Sequence, residues 1–162
     1  MTQKLDGVFS HRGDGPIEGV KVVPLRRIPD ERGTIFHLMK KTDPHFIEFG
    51  EIYFSGINAG IIKGWHKHAD MTLNYACVSG RVKCALFDDR EGSPTKGNLM
   101  EVFLGPDSYN LLIVPPLVWN GFKGMTDAIV ANCCTHLHDP KRSERREPTC
   151  PIIGYDWAAR NH

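Results

Sequence analysis

Short runs of apolar residues dominate the chain, alternating with polar positions or continuous over four to eight residues, and each run is closed by Gly, Pro, Asn or Asp. That pattern predicts strands at Val20–Leu25, Ile35–Met39, Glu48–Ile57, Gly60–Trp65, Thr72–Ser79, Val82–Asp88, Leu99–Leu104, Tyr109–Val114, Val118–Lys123 and Ala128–His136. Turn chemistry is clearest at Asp30-Glu31-Arg32-Gly33, Asp89-Arg90-Glu91-Gly92-Ser93-Pro94 and Gly105-Pro106-Asp107-Ser108. Apolar spacing of helical period is scarce; only Ser143–Glu147 and Asp43–Phe49 read as helical turns. Many short strands at regular spacing predict an all-β jelly-roll barrel or sandwich.

The 162 residues fit one domain, with 1–18 as an N-terminal arm and 139–162 as a C-terminal segment packing near the barrel mouth. Tyr155 and Trp157 favour docking of that segment, because free aromatics at a terminus gain nothing. Hydrophobic residues make up 41% and the net charge is +1, so nothing favours nucleic acid or an anionic membrane as a partner. No apolar run has the length of a membrane span, and the first eight residues lack the apolar core of a signal peptide, so a cytoplasmic location is expected. Five cysteines, an odd number without a CxxC pair and mostly within apolar runs, read as buried thiols.

The most informative stretch is Gly60, five residues, His66, one residue, His68, four residues, Leu73, six residues, Gly80. It resembles the first motif of the cupins, G-x5-HxH-x3-4-E-x6-G, with Leu73 in place of the acidic residue. Pro115-Pro116-Leu117-Val118-Trp119-Asn120 resembles the second motif, with Leu117 for its glycine and Asn120 for its histidine. On a strand, His66 and His68 point to one side. Two imidazoles can start a metal site, but leucine cannot ligate and an amide is a poor transition-metal ligand. No metal or other cofactor is therefore expected. A neutral imidazole is instead a good general base at neutral pH, and His66 is the residue placed in the cavity by this spacing.

Five segments extend the resemblance over most of the chain: Asp30–Gly33, Gly60-Ile61-Ile62-Lys63-Gly64-Trp65-His66, Phe87–Gly97, Val114–Phe122 and Ile153–Trp157. In this order they resemble the D-x-R-G, G-V-L-R-G-L-H, V-D-x-R-x-x-S-P-T-x-G, I-P-x-G-x-A-H-G-F and I-x-Y-D-W segments of the sugar-nucleotide epimerases related to dTDP-4-dehydrorhamnose 3,5-epimerase, which are metal-free cupins. The resemblance implies a cupin-type double-stranded β-helix. It also implies epimerisation of a nucleotide-diphosphate-linked 4-keto-6-deoxy sugar at C3, C5 or both, for surface or secondary-metabolite sugar biosynthesis. His66 would abstract the proton and an enolate would form. Arg32, Lys63, His68, Asn74, Trp119, Asn120 and Asn132 are the expected substrate-binding residues. Family members resemble one another in forming homodimers with exchanged edge strands, and the same is expected here.

Three assisting groups depart from the family. Its acid, a tyrosine, falls at Asn132 or Cys133; the aspartate supporting its base falls near Cys150; a lysine falls near Leu73 or Asn74. Tyr75, Cys133 and His136 are the alternative proton donors, and Asp139 or Asp156 could reach the base from elsewhere. Trp119 and Phe122 offer a platform for a ring, and Arg145–Arg146 a grip on a diphosphate. If the strand through Asn132 continued to His138, His136 and His138 would share one face and could start a second metal site. The other readings are a keto-sugar isomerase of the same superfamily, a metal-dependent cupin enzyme using His66 and His68, and a non-catalytic sugar-nucleotide binding protein.

Overall fold

The structure is a computed structural model that describes residues 8–11 and 16–158. Its strands, in chain order, are β1 (Val8–His11), β2 (Lys21–Pro24), β3 (Arg27–Asp30), β4 (Gly33–Phe36), β5 (Glu51–Ile57), β6 (Ile62–His68), β7 (Leu73–Ser79), β8 (Val82–Phe87), β9 (Leu99–Leu104), β10 (Asn110–Val114), β11 (Trp119–Gly124), β12 (Ala128–Cys134) and β13 (Ser143–Arg145). They form two facing antiparallel sheets, one ordered β1-β9-β8-β11-β6-β13 and the other β2-β10-β7-β12-β5, with β3-β4 as a separate hairpin. Most of the expected arm 1–18 lies outside the described residues.

Alternation along each strand sorts the side chains into three layers. Leu73, Tyr75 and Cys77 of β7, Val82, Cys84 and Leu86 of β8, and Val130 and Cys134 of β12 point between the sheets and form the main core. The opposite parity of β7 and β10 (Ala76, Leu111, Ile113) packs under Phe36, Leu38 and Met39. Over the outer face of the six-stranded sheet, Ile153, Tyr155 and Trp157 bury themselves against Trp65, Ala85 and Trp119. Gly64 and Gly121 make this last contact possible. A Cβ on Gly121 would lie 2.9 Å from Gly64 Cα and 3.4 Å from the Trp157 ring, so only glycine lets β6 and β11 meet this closely beneath the indole.

The ten predicted strands are present with shifted ends: the one expected at Gly60–Trp65 runs from Ile62 to His68, the one expected at Ile35–Met39 from Gly33 to Phe36, and the one through Ala128 stops at Cys134 rather than His136, so His136 and His138 do not continue its face. Three strands escaped the pattern. β3 is exposed at all four positions, so it carries no apolar alternation. β1 lies in the segment expected to be an arm and pairs with β9. The expected helical turn at Ser143–Glu147 is instead β13, preceded by a 3-10 turn at Pro140–Arg142. This charged segment is extended because β6 offers it an open edge: the Trp65 and Arg146 backbones exchange hydrogen bonds of 2.7 and 2.9 Å. Asp43–Phe49 forms turns and bends, not a helix. Leu117 keeps a left-handed backbone (φ 66°) where the cupin motif has glycine, so the turn before β11 survives the loss of the residue that normally favours it.

Candidate active site

At one end of the barrel the inner faces of both sheets turn polar. Across the five-stranded sheet, Tyr75, Asn132 and Tyr53 are register partners on β7, β12 and β5. Facing them on the six-stranded sheet, His66 of β6 pairs in register with Asn120 of β11. His66 Nε2 lies 3.2 Å from the Tyr75 hydroxyl, which donates to Asn120 Oδ1 at 3.1 Å. Asn120 in turn donates through Nδ2 to the His66 and Val118 carbonyls at 3.2 and 3.3 Å.

This chain of bonds fixes the histidine tautomer. Two carbonyl acceptors orient the Asn120 amide, so its oxygen is the group facing Tyr75. Tyr75 has one proton and gives it to Asn120. His66 must then donate to the Tyr75 oxygen through Nε2–H, which leaves the lone pair on Nδ1. Burial lowers the His66 pKa to about 4, with further lowering from His68, Arg145 and His138. Burial, and then His138, also lower His68. Tyr75 is buried, and burial pushes its phenol well above its ordinary value. The site thus holds a neutral imidazole in a defined tautomer, backed by a phenol that stays protonated. Its support is neutral throughout, and no described carboxylate bonds to His66.

Cations surround it. Lys63 and His66 are three apart on β6, which alternation alone would place on opposite sides. A register shift between Asn120 and Phe122 brings both to the inner side. Lys63 Nζ reaches the edge of the other sheet, donating to Ser55 Oγ at 2.9 Å and Gly56 O at 2.5 Å. On the other flank Arg145 of β13 is the register partner of His66. Lys63, His66, Arg145 and Arg146 line one cleft of about 770 Å³, ample for a nucleotide sugar. A smaller hollow of about 300 Å³ lies beside it, between His68, His136 and Arg142.

The structure brings His66, His68, Lys63, Tyr75, Asn120 and Asn132 to this end of the barrel. Other expected residues lie elsewhere. Asn74 and Cys133 have the opposite strand parity and bond to each other on the far face of their sheet, Asn74 Nδ2 donating to Cys133 O at 2.8 Å. Trp119 faces away from Asn120: its ring is fully buried, donates to Asp89 Oδ2 at 2.8 Å and carries Arg146 at 4.6 Å, so no substrate ring can stack there. Phe122 belongs to the inner core against Tyr75. Arg32 sits at the tip of the β3-β4 hairpin, 84% exposed and paired with Asp30. His136 borders the smaller hollow, its Nδ1 2.9 Å from Thr135 Oγ1. Asp139 caps the 3-10 turn and Asp156 accepts from Ala158 N, so neither supports His66. Cys150 is half-buried, 4.0 Å from Arg146. Among the described residues, no three His, Cys, Asp or Glu side chains are grouped to hold a metal ion.

Sequence reasoning missed Tyr53 and Ser55. Tyr53 receives a hydrogen bond of 2.9 Å from Asn132 Nδ2. Its phenol is raised by burial, against the lowering effect of that bond. Strand pairing was the missing signal: the sequence marks Glu48–Ile57 as a strand, and only its register with β12 sets Tyr53 beside Asn132.

Comparisons with known proteins give the family and the fold. The profile of the dTDP-4-dehydrorhamnose 3,5-epimerase family matches residues 14–162. The Haloferax volcanii protein named "Probable low-salt glycan biosynthesis epimerase Agl13" is 31% identical over 152 residues, covering 90% of this chain and 97% of its own. The crystal structure of a dTDP sugar isomerase from Desulfovibrio desulfuricans superposes with a TM-score of 0.86 at 42% identity, covering 90% of this chain and 94% of the other. The epimerase structure from Mycobacterium tuberculosis superposes with a TM-score of 0.80 at 25% identity, covering 92% and 78%. With the two-sheet barrel and the histidine in its mouth, these matches show an RmlC-like cupin and an isomerase, and the chain belongs to the dTDP-4-dehydrorhamnose 3,5-epimerase family.

Proposed function

We propose that this protein epimerises a nucleotide-diphosphate-linked 4-keto-6-deoxyhexose at C3, C5 or both, with His66 as the base. The hydrogen-bonded chain His66–Tyr75–Asn120 carries the reading, because it holds a neutral imidazole with one lone pair for a proton. A 4-keto group acidifies the adjacent C–H bonds. Nδ1 takes the proton, the C–H electron pair moves into an enolate, and negative charge gathers on the ketone oxygen. Lys63 is a fixed positive charge in the same cleft and offsets that charge. Arg145, beside His66, faces the same cleft and suits the diphosphate. Low local polarity favours a neutral base here, since His66 gains charge only during the reaction.

Incubation with dTDP-4-keto-6-deoxyglucose in D2O tests the reading. Deuterium should enter at C3 or C5 and an epimer should accumulate. Absence of exchange with the dTDP, GDP, CDP and UDP forms alike would sink it.

We also propose a homodimer formed through β5. This edge strand of the five-stranded sheet exposes Ile52 (49%) and Phe54 (64%), and Phe49 just before it is 62% exposed. An apolar, unpaired edge invites a second copy. Light scattering should give about twice the 18.2 kDa of one chain; the mass of a single chain at micromolar concentration refutes the dimer.

A further inference from the structure

The epimerase reading leaves inversion unexplained: the base alone returns its proton to the face it came from. An inverted centre needs a second donor on the opposite face. Tyr75 cannot be that donor, because its oxygen accepts from His66 and its proton is held by Asn120 on the same side as the base. Cys133 faces the outer side of its sheet, and His136 lies beside the smaller hollow.

We infer that Tyr53 is the catalytic acid of this protein, and that Asn132 is its positioning residue. The phenol has moved one strand sideways from where the family carries it. Asn132 occupies the family's tyrosine region on β12, and Tyr53 is its direct cross-strand partner on β5. The two side chains meet with Asn132 Nδ2 donating to the phenol oxygen at 2.9 Å. That bond uses an acceptor position of the phenol; its O–H meets the Cys134 sulfur, a weak acceptor that a substrate carbon can replace. Asn132 is fully buried and is itself held, its Oδ1 accepting from Asn74 N at 3.1 Å, so the phenol is anchored to the sheet rather than to a mobile loop.

The spacing suits a sugar. β5 and β7 flank β12, so the Tyr53 and Tyr75 backbones are two strand separations apart, about 10 Å. His66 stands over Tyr75, and a pyranose ring entering beside it would have the base on one face and Tyr53 toward the other. Lys63, bonded to Ser55 two residues along β5 on the same side as Tyr53, ties the two walls together at this point. Tyr53 is 43% exposed, open to a ligand where Tyr75 is not. Burial of its hydroxyl keeps it protonated at neutral pH, and the neighbouring Cys134 thiol, pushed up to about 12 by burial, cannot deprotonate it.

The proton balance closes without an oxidant or reductant. His66 Nδ1 takes H⁺ from carbon and the enolate forms. The enolate collapses to the ketone as its carbon takes H⁺ from the Tyr53 O–H on the opposite face. The phenolate then recovers a proton from water, and His66 releases its own to water.

This inference rests on the proposed function, and the two fail differently. If the wild-type protein exchanges no carbon-bound hydrogen in D2O, the epimerase reading fails and the Tyr53 assignment with it. If it does exchange and invert, Tyr53→Phe separates the steps. That variant, folded by circular dichroism, should keep deuterium entry with retention of configuration within a few-fold of wild type. Formation of the inverted epimer should fall by about 10²-fold or more. Inversion at the wild-type rate in Tyr53→Phe overturns the assignment. So does a parallel loss of exchange and inversion, which would mark a role in binding or packing. The exchanged pair Tyr53→Asn with Asn132→Tyr should recover inversion over Tyr53→Phe, since it returns the phenol to β12. If Tyr53→Phe does not fold, that exchanged pair decides: inversion supports a phenol donor at this place, and exchange without inversion refutes it.

Discussion

Replacing His66 by Asn should lower solvent-deuterium exchange into the keto sugar by about 10³-fold, within the range by which a positioned base accelerates proton transfer. An amide has no basic lone pair, but it can still hydrogen-bond to Tyr75, so the variant should fold and bind nucleotide diphosphate within a few-fold of wild type. The pH profile carries the sharper expectation. Burial sets the His66 pKa at about 4, below the ordinary 6.5. The imidazole is therefore free to accept a proton from alkaline pH down to about 5, and exchange should fall only as the pH passes through about 4. An acid limb near 6.5 in kcat/KM would mean that the free enzyme's base is a solvated histidine or another group. Retention of wild-type exchange in His66→Asn would remove the histidine from the mechanism altogether.

The framework of this site was legible in the chain, and its wiring was not. The period-2 runs gave both large sheets, because most of their strands bury one or both faces and so must alternate or stay apolar. Glycine and histidine spacing located His66, since a cupin strand needs those residues at fixed intervals. β3 and β13 were lost for the opposite reason: their side chains are mostly exposed, and only backbone pairing holds them in place. Candidate site residues divided by strand parity. Asn132 and Tyr75 proved to be on the inner face, Cys133, Asn74 and Trp119 on outer ones, and a list of polar residues cannot make that division without the register. Tyr53 stayed hidden because its partner is 79 residues away. The departures at Asn120 and Asn132 looked like losses in the sequence. In the barrel each one holds a phenol: Asn120 accepts from Tyr75, and Asn132 donates to Tyr53. Two asparagines thus support two tyrosines at one mouth, and His66 is backed by neutral groups where a carboxylate was expected.

Asp88→Ala should be the most damaging single change to stability, at about 3 kcal/mol, lowering Tm by roughly 6–12 °C. Asp88 is fully buried at the end of β8, in the turn segment resembling the family's S-P-T hairpin. It pairs with Arg90 Nε at 2.8 Å and accepts from Ser93 Oγ at 2.6 Å and Thr95 Oγ1 at 2.7 Å. Burial alone would raise its pKa; the bonds from Arg90, Ser93 and Thr95 outweigh that and hold the carboxyl well below the usual range. The sign follows. With the folded pKa below the unfolded one, the stabilisation is complete above about pH 4 and is lost as the pH falls through the folded value. Alanine takes from the Arg90 guanidinium and the Ser93 and Thr95 hydroxyls the carboxylate to which all three donate. The same turn reaches the N-terminal segment, Arg90 Nη2 donating to Glu18 O and Glu18 N donating to Thr95 Oγ1. It does not touch His66. Thermal denaturation at neutral pH should therefore show the full loss for Asp88→Ala, while exchange per folded molecule well below Tm stays within about two-fold of wild type. A variant with unchanged Tm would mean that desolvating this carboxylate costs as much as its three partners return. A variant with normal Tm but impaired exchange would tie the turn to the chemistry, although the bonds of this network and those of the His66–Tyr75–Asn120 chain share no residue.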